Sequence, residues 1–559
     1  MRIRIIVVLL AAPLALLAAQ TTGRNAGTVS VQLLAINDFH GNLEPPSGDS
    51  GLINSTPAGG AEYLATHLKK AAADNPNSIV VAAGDLIGGS PLIAALFHNE
   101  PTIEAMNAMN LAVTSVGNHE FDQGRMELLR MQKGGCHPMD GCQDGDGFIG
   151  ARFQYLAANV VDGTTPPFRT FLPATAVRTI AGVRIGFIGE TLKGTRQVVL
   201  PSRVRGLAFL DEAETANAYA ARLKRQGVHA IVLLVHEGGS QRSSDSELDP
   251  NGCADFGGAL TAVVDRLSPD IKVVVSGHTH RFYNCTIGGR LVTSASSFGR
   301  MITRIGLTID PATGVILDAR AKNDVVTRDV EKDVTQTQLV AKYGPLSRPV
   351  ANRAVGSITA SIPSKANLAG ESPLGDVIAD AQLTATSSPS LGGALVALMN
   401  SGGLRADLVF NESAGADRGQ VSFGQLFTVQ PFGNVLTVQT MTGDMLRRVL
   451  EQQFDNPVPG RQRFLQVSAG FTYRYALDAP AGRHIDPASI RIRGRLVKPA
   501  DRVRVTINNF LLAGGDNFSV FAEGTDRIGG EVDIDAMVAY FKAKSPVQPG
   551  PQDRIVRTD

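Results

Sequence analysis

Tryptophan is absent, cysteine occurs only four times in 559 residues, and the charges nearly cancel. The missing tryptophan excludes no function. With 53 Lys and Arg against 52 Asp and Glu, the net charge is +1. That removes the electrostatic case for a nucleic acid polymer or an anionic membrane as the main partner. Beyond the N-terminal segment no apolar run is long enough to cross a bilayer. There is no internal repeat and no long low-complexity run. What is present is ordinary for a globular protein, with 43% hydrophobic and 19% charged residues. The length allows two or more domains with full-sized cores.

Residues 1–4 are short and basic, residues 5–19 are apolar, and small residues (Ala18, Ala19) close the run. This is the order of a signal peptide over 1–19. No Cys follows it to carry a lipid anchor; an uncleaved anchor is the alternative. The mature chain is expected to be exported, periplasmic or extracellular, without stable membrane insertion. An oxidising compartment turns the four Cys into disulfide candidates. Cys136 and Cys142 bracket a short Gly-rich loop and are expected to pair, which leaves Cys253 with Cys285. A zinc knuckle using Cys136, His137 and Cys142 is the sharper alternative, but it lacks a fourth ligand.

From 28 to 325 short apolar segments alternate with helical patterns. Strands are expected at 29–36, 78–83, 111–116, 184–188, 230–235 and 271–275, with more sheet material at 291–293 and 302–308. Helices are expected at 61–73, 102–109 and 213–225. Strands without polar alternation imply a sheet covered on both faces, hence a layered α/β domain. Residues 326–349 read as a polar linker, helical to Tyr343 and stopped by Gly344 and Pro345. A second α/β domain follows over 350–545. Ser372 caps a helix with Pro373 in its first turn, Thr442 caps another, and a closing helix lies at 532–543. Residues 546–559 read as a loose, extended tail.

Five strands of the first domain end in polar clusters. They are Asn37-Asp38-Phe39-His40, Gly84-Asp85, Gly117-Asn118-His119-Glu120-Phe121-Asp122, His236-Glu237 and Gly277-His278-Thr279-His280. A polar turn with an Asx cap would explain any one of them. Five of the ten His in these endings would not follow from chance. In α/β sheets, ligands gather beyond the carboxyl ends of strands. The donors are nitrogen and oxygen without thiolate, which suits zinc, manganese, iron or cobalt. Asp38 with His40, and His278 with His280, each put two side chains on one side of an extended segment. Together with Asp85, Asn118 and His236 these are too many donors for one ion and suit two.

These blocks, in this order, resemble the signatures of calcineurin-like metallophosphoesterases. The specific strings Asn-Asp-Phe-His-Gly and Asn-His-Glu-Phe-Asp resemble the secreted 5'-nucleotidase / UDP-sugar hydrolase branch. The resemblance covers essentially the whole mature chain. It implies a four-layer αββα sandwich joined by a linker helix to a substrate-binding domain. It implies one metal on Asp38, His40, Asp85 and His280, and a second on Asp85, Asn118, His236 and His278. His119 and Asp122 resemble the catalytic dyad. Glu120 and Glu237 are candidates to orient the imidazoles.

In the second domain, Asn400-Ser-Gly-Gly-Leu-Arg405 resembles a block whose Asn and Arg contact substrate. Phe432 and Phe510 match the two Phe that sandwich the base, and Asp516 the residue that binds ribose hydroxyls. Phe518 reads as core. One position departs from the pattern: Leu368 stands where relatives often carry a substrate-binding Arg, and the nearest cation is Lys365. The implied function is hydrolysis of nucleoside 5'-monophosphates, with UDP-sugars as a second substrate class. Alternatives are a 2',3'-cyclic nucleotide phosphodiesterase/3'-nucleotidase, a thiosulfohydrolase, and a non-catalytic ligand-binding protein on the same scaffold.

Overall fold

A computed structural model describes residues 27–163, 169–200, 202–241, 247–411, 417–456 and 460–559. The expected signal peptide at 1–19 lies outside the described residues.

Two six-stranded sheets dominate the first half. In one, Val29–Ile36, Ser78–Ala83 and Leu111–Ser115 run parallel; in the other, Val183–Thr191, Ala230–His236 and Ile271–Ser276 do. The sheets pack face to face through Val31, Leu33, Ala35, Val81 and Val113 on one side and Phe187, Val232, Leu234 and Val273 on the other. Helices cover the outer faces. Ala61–Asp74 and Glu100–Ala108 bury Leu64, Leu68, Ile103 and Met106 on the first sheet. Glu212–Arg225 and Ala259–Val264 bury Ala216, Leu223 and Leu260 on the second. This is the four-layer αββα arrangement. It explains the continuous apolar strands, which are buried on both faces. Each sheet also carries antiparallel strands that the sequence pattern does not mark, such as Thr175–Ile180 and Ile316–Val325. Both expected disulfides are present, Cys136–Cys142 and Cys253–Cys285. Cys136 and Cys142 are therefore not zinc ligands.

The register places the site. Ala83 pairs with Ser115, Thr191 with His236 and Val235 with Ser276. The parallel strands of both sheets thus stop together, and the polar endings meet at one rim.

Two expectations fail. The helix between the halves is Val334–Ala351; it runs through Gly344, Pro345 and Pro349 instead of stopping. Each Pro costs about 3 kcal/mol inside a helix. Packing supplies the compensation. Tyr343 is buried against Phe97, with ring centroids 4.8 Å apart, and its hydroxyl donates to Asp144 at 2.8 Å. The segment after 545 is not loose either. Ile555–Arg557 pairs parallel to Phe471–Tyr475. Arg554 is buried and donates to both Asp380 oxygens at 2.9 and 2.8 Å.

The second half centres on a five-stranded sheet in the order Leu465–Val467, Val396–Asn400, Arg502–Asn508, Val435–Thr442, Thr525–Val532. Ser372 caps Pro373–Thr386 by accepting from Gly375 N, and Thr442 caps Gly443–Glu451. The loops at the ends of the central strands carry the residues expected to meet substrate.

Candidate active site

The polar strand endings are tightly bent. Asp38, His40, Asp85, His278 and His280 all have positive φ, between 49° and 70°. Such left-handed turns are uncommon outside Gly and cluster at functional sites. Gly117 lets two endings touch: a Cβ there would stand 2.1 Å from Asp85 Oδ1. Glu120, buried beneath them, accepts from the backbone N–H of Asp85 (2.9 Å), Leu86 (2.8 Å) and Gly117 (2.5 Å). It ties two strand ends together rather than orienting an imidazole. Glu237 accepts from Gly238 N at 2.8 Å and has no imidazole partner among its hydrogen bonds. Backbone carbonyls take the orienting role expected of these two acids. His40 Nδ1 donates to Gly88 O (2.8 Å) and His236 Nδ1 donates to Ala83 O (2.7 Å).

A carbonyl can only accept, so each Nδ1 holds a proton, and each Nε2 presents a lone pair whenever its ring is neutral. Those lone pairs converge. His40 Nε2 lies 3.0 Å from His280 Nε2 and 3.6 Å from Asp85 Oδ2, while His280 Nε2 is 3.4 Å from Asp38 Oδ1. On the other side, His236 Nε2 lies 2.9 Å from Asp85 Oδ2, and against the effect of burial the Asp85 and Asp38 carboxylates raise the His236 pKa to about 10. His278 Nδ1 lies 3.0 Å from Asn118 Oδ1. Atoms facing each other at these distances are held together by a shared proton or by a cation standing between them. The contacts divide into two sets, and Asp85 Oδ2 faces both. Burial pushes the Asp38 carboxyl up to about 7 and holds His40 and His280 well below the usual imidazole value. Neutral imidazoles are the ligating form. The donor set fits divalent cations.

His119 sits above this cluster, and its Nδ1 lies 2.8 Å from Asp122 Oδ2. Burial works against a charged ring, but the Asp122 and Asp85 carboxylates hold the His119 pKa above its ordinary value. Its other face stacks on Phe432 from the second half, with centroids 5.5 Å apart and planes 11° off parallel. Arg405 reaches across to stand 3.4 Å from His40 Nε2, with its guanidinium 5.7 Å from the Phe432 ring centre.

One cavity of about 880 Å³ lies where the halves meet. Asn118, His119, Asp122 and His278 line it from the first half, and Asn400, Arg405, Phe432, Phe510 and Asp516 from the second. Asp38, His40, Asp85 and His236 are buried beneath its floor. Asn400 Nδ2 donates to Asp516 Oδ2 at 3.1 Å. Phe518 is fully buried in the second core, as expected. Leu368 is 92% exposed and Lys365 is exposed, and neither lines the cavity. A cation that sequence reasoning missed does line it. Arg463 bonds to Asp516 Oδ1 at 2.5 Å. Nothing in the spacing of Arg461-Gln462-Arg463 marks it, because its partner lies 53 residues on.

A sandwich of two sheets with N/O donors at the strand ends, closed by an aromatic-walled pocket from a second domain, defines a metallophosphoesterase architecture with a built-in substrate domain. Residues 31–282 match the calcineurin-like phosphoesterase family, and residues 351–523 match the 5'-nucleotidase, C-terminal domain. The chain belongs to this family of metal-dependent phosphoester hydrolases. It is 33% identical to Cell wall protein Lmo0130 of Listeria monocytogenes, covering 92% of this chain and 67% of that protein. It is 31% identical to Endonuclease YhcR of Bacillus subtilis over 92% of this chain, but spans only 40% of that protein's length. A solved 5'-nucleotidase precursor from Thermus thermophilus superposes with a TM-score of 0.76 at 25% identity, covering 95% of this chain and all of the other.

Proposed function

We propose that this chain is an exported phosphohydrolase that uses two divalent metal ions to release phosphate from nucleoside 5'-monophosphates, with UDP-sugars as a second substrate class. The observation that carries the reading is a cavity that sets Phe432, Phe510, Asn400, Arg405 and Asp516 over the two sets of metal-type donors. When bound, two divalent ions such as zinc, manganese, cobalt or iron supply an activated water and offset charge on the phosphoryl oxygens. Asp38, His40, Asp85 and His280 hold one; Asp85, Asn118, His236 and His278 hold the other.

The remaining roles belong to side chains. Phe432 and Phe510 stack on the base, a contact worth about 1–3 kcal/mol for any base. Asp516 accepts from ribose hydroxyls, with Asn400 steadying it. Arg405, which stands 3.4 Å from His40 Nε2, neutralises the phosphate beside the donors. His119, kept protonated by Asp122, donates a proton toward the phosphoryl or leaving oxygen as negative charge develops. The domain division at 28–325, 326–349 and 350–545, and the signal peptide at 1–19, belong to the same reading. Export is supported by the two disulfides and by the cell-wall relative.

The test is a phosphate-release panel of 5'-AMP, 3'-AMP, 2',3'-cyclic AMP, ATP and UDP-glucose, each with manganese, zinc or cobalt and a chelator control. Metal-dependent release that is fastest from 5'-AMP supports the proposal. Fastest turnover of 2',3'-cyclic AMP transfers the chain to the cyclic phosphodiesterase reading. A flat panel defeats both.

A further inference from the structure

Asp516 is an unusual residue to leave to chance. It is buried, sits at φ 55°, and is followed by Asn517 at φ 63°, so two successive residues are left-handed. Such a conformation persists only where its surroundings over-determine it. The surroundings here are specific. Asn400 Nδ2 donates to Oδ2 at 3.1 Å, and Asn400 is held in turn by Asn508 Nδ2 at 3.0 Å. Asn456 Nδ2 donates to the Asp516 carbonyl at 2.8 Å. Arg463 Nη1 takes Oδ1 at 2.5 Å.

Arg463 is the only one of these partners with a full charge, and its side chain is still about a fifth exposed to the cavity. It lies on a short segment fixed at several points. Arg463 N donates to Gln453 O at 2.8 Å, and Arg461 Nη2 donates across the cleft to Gly257 O at 2.9 Å and Ser240 Oγ at 3.1 Å. The segment that carries Arg463 is therefore anchored on both halves of the molecule.

We infer that Arg463 is a specificity-determining positioning residue, which aims the Asp516 carboxylate at the sugar hydroxyls of a ribonucleotide. The inference rests on the proposed nucleotide site. A carboxylate oxygen has more than one acceptor direction, so pairing with Arg463 at one of them leaves others for hydroxyls. Charge-assisted bonds fix geometry better than neutral ones, and the planar fork fixes it better than an ammonium. Without the guanidinium, the Asp516 carboxylate would keep only Asn400 on Oδ2 and could rotate away from the sugar, and the site would lose its preference for a hydroxylated sugar while keeping its aromatic walls. Arg463 thus acts through Asp516.

The experiment compares kcat/KM for 5'-AMP and for 2',3'-dideoxy-5'-AMP in the wild type, Arg463→Ala and Arg463→Lys, with unfolding midpoints recorded for each. The wild type is expected to prefer 5'-AMP. Arg463→Ala is expected to shrink that preference at least tenfold, mainly through KM for 5'-AMP, and Arg463→Lys to restore part of it. A wild-type preference ratio retained in Arg463→Ala, whatever happens to absolute rates, overturns the inference. Calorimetric binding of adenosine against 2',3'-dideoxyadenosine by the same three proteins asks the question without turnover. If the wild type hydrolyses no nucleotide, the proposed function falls, and that binding ratio still decides the role of Arg463 by the same criterion.

Discussion

His119 and Asn118 are neighbours in sequence and face different tasks. Asn118 Oδ1 turns down toward His278, while the His119 ring turns up into the cavity and pairs with Asp122. A 3-10 turn over His119–Phe121 makes that division by rotating successive side chains apart. Replacing His119 by Asn should lower kcat about 10²- to 10⁴-fold, the usual range for a positioned acid. Bound metal, measured by elemental analysis, should stay at the wild-type level; loss of metal in proportion to activity would make His119 a ligand. Truncating Phe510 to Ala should raise KM for 5'-AMP about tenfold, within the range for one base–aromatic stack. An unchanged KM would return Phe510 to the core. These residues were legible in the sequence because they lie in short strings with chemistry at fixed spacing. Arg463 was not, because its meaning comes only from Asp516, a partner brought to it by the fold. The partners of Glu120 are hidden from the sequence for a similar reason. Its three partners are backbone N–H groups, which every sequence contains and none advertises.

Among the elements, the parallel strands were read closely, since apolar runs of five to eight residues ending in polar clusters leave little room for another assignment. The errors fell where tertiary contacts override local preference. Val334–Ala351 tolerates Pro345 and Pro349 because Tyr343 is anchored in the first core. The C-terminal strand Ile555–Arg557 looked loose because its binding partners are remote: Glu371 accepts from the N–H groups of Arg554 and Ile555, both at 3.0 Å. Arg554→Met should therefore destabilise the protein by about 3 kcal/mol, since it leaves the partly buried Asp380 carboxylate uncompensated. Chemical denaturation measures this, and a change within about 0.5 kcal/mol, the ordinary range for surface substitutions, would mean the tail contributes little. Glu120→Ala should loosen two strand ends at once and weaken metal affinity about 10- to 100-fold, as loss of a supporting partner commonly does. Metal titration checks it, and wild-type affinity would count against the tie between the loops.

For the molecule as a whole, the metal-type donors and the aromatic wall belong to separate halves, and the cavity lies where Phe432 and Arg405 reach His119 and His40. The near-zero net charge fits a small-molecule substrate better than a polymer. Because cations would hold opposed donor atoms together, chelation should lower the unfolding midpoint and manganese should restore it, in proportion to metal bound. The central claim is tested most directly by a crystal structure with manganese and a non-hydrolysable 5'-phosphonate analogue of AMP, using anomalous scattering to locate the ions. The account predicts two ions about 3.5–4 Å apart, bridged by Asp85, with the base between Phe432 and Phe510 and the phosphonate beneath His119. A single ion, or a base bound outside the two phenylalanines, would contradict it.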